Sequence, residues 1–375
     1  MENNSRKSGF ELLRIIFIFM IIIAHAIAFS GNEKYCLLKE ELSINNCFSI
    51  CFSIWGQLGV YGFVALSSYF LTEKSRVKMS KILKIILETY IFCISFCIIG
   101  YIFKIPNFGF KEIIKEILPF GNYQYWFINV YLFFIILCPY IHKFCKGLKE
   151  HELKKLLIVL TVLIPIYNIF WENIGGKLSN FIYVFILMYF IKNYKLDFFE
   201  KNAKKMVIVL STIHLSLCLL LFVLGNVLNI KKYFDILIML RGPIQGANLI
   251  IILDAISLVF IFKKYKFSSK IINSIGKTTL GIYVIHDNFI LCDTLFGYNK
   301  KSLLWENIFN VSSFLNTNIY PIYIIGISVI TLLICSIIDK FTNLFLNKVL
   351  GSNKVSKICS KIDNWYNNTI IEEAI

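Results

Sequence analysis

The first long apolar stretch of the chain, ELLRIIFIFMIIIAH over Glu11–His25, carries three ionisable residues among Ile, Leu, Phe and Met. Arg14 and His25 stand eleven residues apart. That is close to three full turns, so a helix sets them on one face about 16 Å apart along its axis. Glu11 precedes Arg14 by three residues, a spacing at which a carboxylate pairs with a guanidinium one turn on. Ionisable side chains are costly in hydrocarbon and mark substrate paths, relays or reacting groups. An arginine holds phosphate or carboxylate through two parallel N–H donors. An imidazole takes up or releases a proton near neutral pH. The set therefore marks the first span as functional, with a cation at one end of the helix and a titratable ring at the other. The structural alternative is an arginine reaching lipid phosphate and a histidine satisfied inside a bundle.

The elements that must position these residues follow from composition. Of 375 residues, 57% are hydrophobic and only 17% charged, with a mean hydropathy of +0.68. Soluble domains carry about 25% charged residues, and here apolar runs of about twenty residues recur along most of the chain. The fold class expected is an all-α, polytopic integral membrane bundle. A soluble enzyme, a disordered chain and a secreted disulfide scaffold are excluded. The net charge of +16 does not indicate nucleic acid, because the Lys and Arg residues fall in short clusters between apolar runs rather than along one basic face. Cys93, Cys97, Cys138, Cys218 and Cys335 lie in apolar segments and read as small hydrophobes. With no Cys-x-x-Cys, no metal site is expected. Cys36, Cys47 and Cys51 cluster near the first external loop and leave a disulfide open.

About ten transmembrane helices are expected, at residues 10–30, 50–71, 82–103, 123–141, 155–171, 178–191, 205–225, 246–262, 272–291 and 319–346. With the N-terminus inside, the internal segments hold 27 Lys and Arg residues and the external loops 11, which places both termini in the cytoplasm. Arg6, Lys7 and the following apolar stretch up to Ala26-Ile27-Ala28 also resemble a cleavable leader. A multi-spanning chain needs none, and retention of the segment is the reading adopted. Residues 1–350 form the transmembrane domain and 351–375 a short polar cytoplasmic tail. Between residues 105 and 121, Phe110, Ile113, Ile114, Ile117 and Leu118 alternate helically with Lys111, Glu112, Lys115 and Glu116, the pattern of an amphipathic helix on the membrane surface.

The Glu-x-x-Arg-x10-His arrangement of the first span resembles the membrane-bound acyltransferase-3 family, the O-acetyltransferases of bacterial surface polysaccharides. Three further stretches are similar to that family's segments: WGQLGVYGFVALSSYFL from Trp55 to Leu71, YQYWFINVYL around Trp126, and IGKTTLGIYVIHDN around His286. There are departures. Lys81-x-x-Lys84 stands where the family has Arg-x-x-Arg, which keeps charge but loses the bidentate fork. Ser68 replaces a Gly, and Thr279 replaces a Ser while keeping the hydroxyl.

The resemblance implies a multi-pass protein of the bacterial plasma membrane. It would move an acyl group, acetyl above all, from cytoplasmic acetyl-CoA to a hydroxyl of an envelope glycan or its lipid-linked precursor. His25 would serve as base or acyl carrier, assisted by His286 and Glu11. Arg14, Lys81 and Lys84 would meet the donor's phosphates. Glu88 and Asp254 are further acids inside expected spans, each able to pair with a cation or set a histidine tautomer. His142 and His151 are expected in a solvated basic loop, and His214 in the core. Trp55, Tyr123, Tyr125 and Trp126 are candidates for stacking on a sugar, and Arg241 for touching one. The rival class is a transporter or flippase in which Arg14, His25 and Asp254 form a relay. Broken half-repeats of the kind that many transporters carry are not evident. Topology is testable directly. Reporter tags at both ends should read as cytoplasmic and a tag within residues 31–49 as external, and an external C-terminal tag would make the span count odd.

Overall fold

The computed structural model describes residues 8–29, 43–73, 76–104, 109–120, 125–167, 176–230, 233, 236–237, 248–292 and 302–372. Its main elements are α-helices. They are α1 (Ser8–Ile27), α2 (Ile44–Leu71), α3 (Met79–Ile102), α4 (Phe110–Ile117), α5 (Trp126–Gly147), α6 (Glu150–Thr161), α7 (Gly176–Tyr194), α8 (Leu196–Leu228), α9 (Leu249–Lys263), α10 (Lys270–Gly276), α11 (Thr279–His286), α12 (Tyr320–Leu350) and α13 (Asn353–Glu372).

Among the described residues six helices are long and apolar enough to cross a membrane: α1, α2, α3, α5, α8 and α12. The other four of the ten expected spans are shorter or interrupted. The described part of residues 155–171 divides between α6 and a π-turn, Val162–Ile166, that contains Pro165, a residue that breaks helical hydrogen bonding. Helix α7 carries Lys177 and Lys192 near its two ends, which limits its apolar length. Helix α9 has only 15 residues. Residues 272–291 fall across α10 and α11, which are separated at Lys277 and Thr278.

Helix α1 is the axis of the bundle, in contact with α2, α9, α10, α11 and α12. In α1 and α2, 61% of the apolar window is buried, against 22% in α8 and 28% in α5. Thus α1 and α2 form the interior, and the outer helices turn residues such as Ile208, Ile322 and Ile337 outward, as apolar surface toward lipid. The α1–α2 contact is close because α2 presents small residues there. A Cβ at Gly59 would lie 2.5 Å from the Phe17 carbonyl oxygen, and one at Gly62 would lie 2.4 Å from the Phe17 ring. The start of α1 is tied to the region of α10. The Ser8 hydroxyl donates to Asn273 at 2.8 Å and accepts from the Ser269 backbone N–H at 2.8 Å.

Residues 353–372, expected only as a polar tail, form a helix folded back onto the start of α3. Asp363 accepts from the Met79 N–H at 2.5 Å, Asn367 exchanges hydrogen bonds with the Val77 backbone, and the Tyr366 hydroxyl donates to the Ile136 carbonyl. Phe10 packs on Tyr69 and Phe70, so the start of α1 lies beside the end of α2 and near Val77. The first and last described segments therefore share one end of the bundle.

Helix α4 corresponds to the amphipathic stretch. Phe110, Ile114, Ile117 and Leu118 are exposed, as a membrane-surface helix requires, but Glu116 is fully buried and accepts from Asn288 at 2.7 Å. It anchors α4 to the bundle rather than facing water. His142 also differs from expectation: it lies within α5, edge-on to Tyr189 at 5.5 Å between ring centroids, because α5 extends to Gly147. Overpacking at the α1–α2 contact should be costly. Gly62→Ala should lower the thermal midpoint of the purified protein, by an amount corresponding to about 1–3 kcal/mol. Adding Phe17→Leu should recover part of that loss.

Candidate active site

Apolar sequence makes α1 a helix through the bundle, and its single rotation sets Arg14 and His25 along the same wall. Both line one continuous cavity of about 760 Å³. At the end near the start of α1, the cavity is lined by Arg14, by Lys81 and Lys84 from the first two turns of α3, and by Lys277 between α10 and α11. Toward the other end it is lined by His25, Asp287, Phe289, Trp126 and Lys177. Helix α7 fixes that polarity. Its Lys192 donates to the Tyr69 carbonyl at 2.8 Å and to Glu73 at 2.5 Å, beside the end of α2. Lys177, at the start of α7, is therefore about 22 Å away along the helix.

Arg14 is held by Glu11. Its Nη1 donates to Glu11 Oε1 at 2.5 Å, and the carboxylate is 2% exposed. Gly276 makes room for that carboxylate, since a Cβ there would lie 2.4 Å from Glu11 Oε2. The i,i+3 pairing read from the sequence is thus present. Glu11 does not join the histidines. It stands fourteen residues before His25, about 21 Å along the axis, where it orients Arg14.

His25 and His286 do meet. His25 Nδ1 lies 3.1 Å from His286 Nε2, and His286 Nδ1 lies 2.6 Å from the Ile282 carbonyl oxygen one turn earlier in α11. A carbonyl only accepts, so His286 Nδ1 carries a proton and donates it, leaving the neutral ring's Nε2 as an acceptor. His25 Nδ1 must then be the donor to His286. Asp287 Oδ1, 3.4 Å from the same His25 nitrogen, is a second acceptor on that side. The neutral His25 ring is left with a bare Nε2, which has no partner among the described residues. That is the form able to take a proton from a hydroxyl or attack an acyl carbon.

The end of α11 is fixed by a buried polar network. Asn288 donates to Glu116 and, at 2.9 Å, to the Tyr125 hydroxyl, which itself donates to the Val284 carbonyl at 3.2 Å. The Cys292 thiol donates to the His286 carbonyl at 2.7 Å. Each tie restrains the segment that carries His286 and Asp287.

The other sequence candidates separate. Glu88 is buried and lines the cavity. It neighbours Asp339 of α12, an acid the sequence reading did not single out. Asp339 packs on Gly281 and accepts from Asn343. Asp254 accepts from Ser211 of α8 at 2.6 Å and does not line the cavity of Arg14 and His25. His214 is buried beside Asn248, and His151 is exposed. Of the aromatic candidates Trp126 lines the cavity, Tyr125 is buried in the network above, and Trp55 packs on Phe52. Tyr123, Arg241 and Cys36 lie outside the described residues, whereas Cys47 and Cys51 are free thiols. Lys177 and Lys277 were missed as site residues. The Gly276-Lys277 step of the late motif was a signal for Lys277, and none marked Lys177. No group of three or more His, Cys, Asp and Glu among the described residues is arranged to hold a metal ion.

A family model described as an acyltransferase domain matches residues 7–340, a range that contains every residue of the cavity. The chain belongs to the acyltransferase-3 family. No curated protein and no solved structure matches it. The acyltransferase thus joins Arg14 to His25 through one cavity, and His286 meets His25 from behind that cavity's wall.

The tautomer assignment is testable without an activity assay. In ¹⁵N-histidine spectra, the neutral forms of both His25 and His286 should carry their proton on Nδ1. With His286→Phe the His25 ring should redistribute toward the other tautomer, and an unchanged His25 signal would refute the chain of donors.

Proposed function

We propose that the acyltransferase moves an acyl group, acetyl above all, from cytoplasmic acyl-CoA to a hydroxyl of an envelope glycan or its lipid-linked precursor in the bacterial plasma membrane. The observation carrying this reading is the cavity itself, with cations at one end and, at the other, His25 aligned by its contact with His286. The coenzyme is anionic, and its phosphates fit an end lined by Arg14, Lys81, Lys84 and Lys277. That end is the cytoplasmic one if the charge bias of the loops sets orientation. When bound, the donor supplies an activated thioester carbonyl.

The chain's own residues do the rest. Glu11 holds the Arg14 guanidinium in place. His286, fixed by the Ile282 carbonyl, accepts from His25 Nδ1 and keeps Nε2 of His25 free of a proton. In direct transfer the acceptor oxygen forms a bond to the acyl carbon while the carbon–sulfur bond breaks. His25 Nε2 takes the hydroxyl proton and passes it to the departing sulfur. Asp287, near Nδ1, stabilises the imidazolium that forms in between. His286 acts through His25 and is a positioning residue.

The direct test is acetyl transfer by purified protein in nanodiscs. His25→Ala should lower the rate by about 10²–10⁴ and leave donor binding near normal, because the cations lie three turns away. The wild-type rate should fall as acid protonates the imidazole, and the residual rate of His25→Ala should lose that dependence. Full activity in His25→Ala would remove His25 from the chemistry. Absence of transfer in the wild type, with an acceptor that is acetylated in the cell, would favour a transporter. Arg14→Ala should weaken donor binding by about 1.5–3 kcal/mol. Replacing Lys81 and Lys84 by Arg should preserve or tighten it.

A further inference from the structure

The cavity holds a cation that donor binding does not use. Lys177, in the first turn of α7, is half-buried and lines the same cavity as His25. Its Nζ sits 3.5 Å from the centroid of the Trp126 ring. Trp126 is the first residue of α5 and lines the cavity as well. The ring face holds the ammonium by its quadrupole, but an aromatic face does not neutralise a charge. No carboxylate among the described residues forms an ion pair with Lys177. Asp287, the acid on this half of the cavity, is engaged with His25. A half-buried ammonium without a counter-ion is expensive in a bilayer protein and indicates what it meets. The starts of α5 and α7 both lie here, and their dipoles place additional positive potential at this end.

From this geometry we infer that Lys177, held over Trp126, is the binding site for a negatively charged group on the acceptor, so that the substrate class is an anionic glycan. The inference rests on the acyl-transfer reading for the word acceptor, but the binding it asserts does not depend on transfer. The charge has two chemical sources, a sugar carboxylate or the phosphate of a lipid-linked precursor, and both satisfy an ammonium in the same way. Trp126 holds the ammonium at the cavity wall. Lys177 touches the substrate's anion, while the reacting hydroxyl is served by His25.

The experiment measures binding to full-length protein in nanodiscs of neutral lipid. Three probes are used: hexagalacturonate, its carboxyl-reduced counterpart, and a polyprenyl diphosphate incorporated in the disc. At least one of the two anions should bind the wild type, and Lys177→Met should weaken that binding about tenfold or more. Lys177→Arg should retain it, and the carboxyl-reduced sugar should not distinguish wild type from Lys177→Met. Dependence on Lys177 for hexagalacturonate assigns the carboxylate, and dependence for the diphosphate lipid assigns the phosphate. Acetyl-CoA binding, measured alongside, should be equal in wild type and Lys177→Met, which shows that the variant is folded. If neither anion binds the wild type, or if every anion that binds the wild type binds Lys177→Met equally well, the proposal is overturned. Thioester cleavage is followed separately. A protein that binds the anion through Lys177 but never releases the coenzyme thiol would refute acyl transfer and leave this site standing.

Discussion

Ionised and hydrogen-bonding groups can be carried through an apolar medium only on a helix that other helices cover on every side. Helix α1 brings Glu11, Arg14 and His25 into that medium, and the packing around it meets this constraint. Five helices contact α1, and the closest of them approaches at Gly59 and Gly62 of α2, where a side chain would collide with Phe17. Gly276 opens the space for the Glu11 carboxylate in the same way. The glycines read in the sequence as motif letters are, physically, the places where the polar helix is enclosed.

Within that enclosure the histidine pair is organised by the backbone. The Ile282 carbonyl is an acceptor that cannot titrate or rotate, and it determines the proton positions on two rings in succession. The segment that supplies it is held by Glu116, Tyr125 and Asn288. A surface helix, α4, thereby contributes a buried carboxylate to the support of a residue deep in the bundle. Buried polar networks of this kind are stable when their members are satisfied, and they restrain geometry more than apolar contacts do.

The parts of the site legible in the sequence were those with a fixed spacing on one helix or an ionisable residue isolated in an apolar run. Arg14, His25 and the Glu11 pairing follow from helical periodicity alone, and His286 stands out in the same manner. What was not legible depends on which face of a uniformly apolar helix points inward. Tyr125 and Trp126 are neighbours in sequence, yet one is sealed in a network and the other lines the cavity. Asp339 sits beside Lys340 near the polar end of its helix and reads as a boundary residue, although it packs on Gly281 from a distant part of the chain. Glu116 follows the polar stripe of α4 and still points into protein. Among the described residues, four of the ten expected spans are shorter or interrupted, because hydropathy registers apolar composition, whereas Pro165 and the step at Lys277 and Thr278 interrupt helices without lowering it much.

The histidine pair joins residues 261 positions apart in the chain, and this separation bears on biosynthesis. Chains lengthen at about 5–20 residues per second, so roughly 13–50 s pass between the synthesis of His25 and that of its partner. During that interval α1 is already made while α10 and α11, which cover Glu11 and His25, do not yet exist. The nascent helix must keep its charged face beside α2 or the insertion machinery rather than in free lipid. The order of synthesis also means that the imidazole of His25 is aligned only once most of the chain has been inserted, so an interrupted chain ending before α11 lacks the aligned pair.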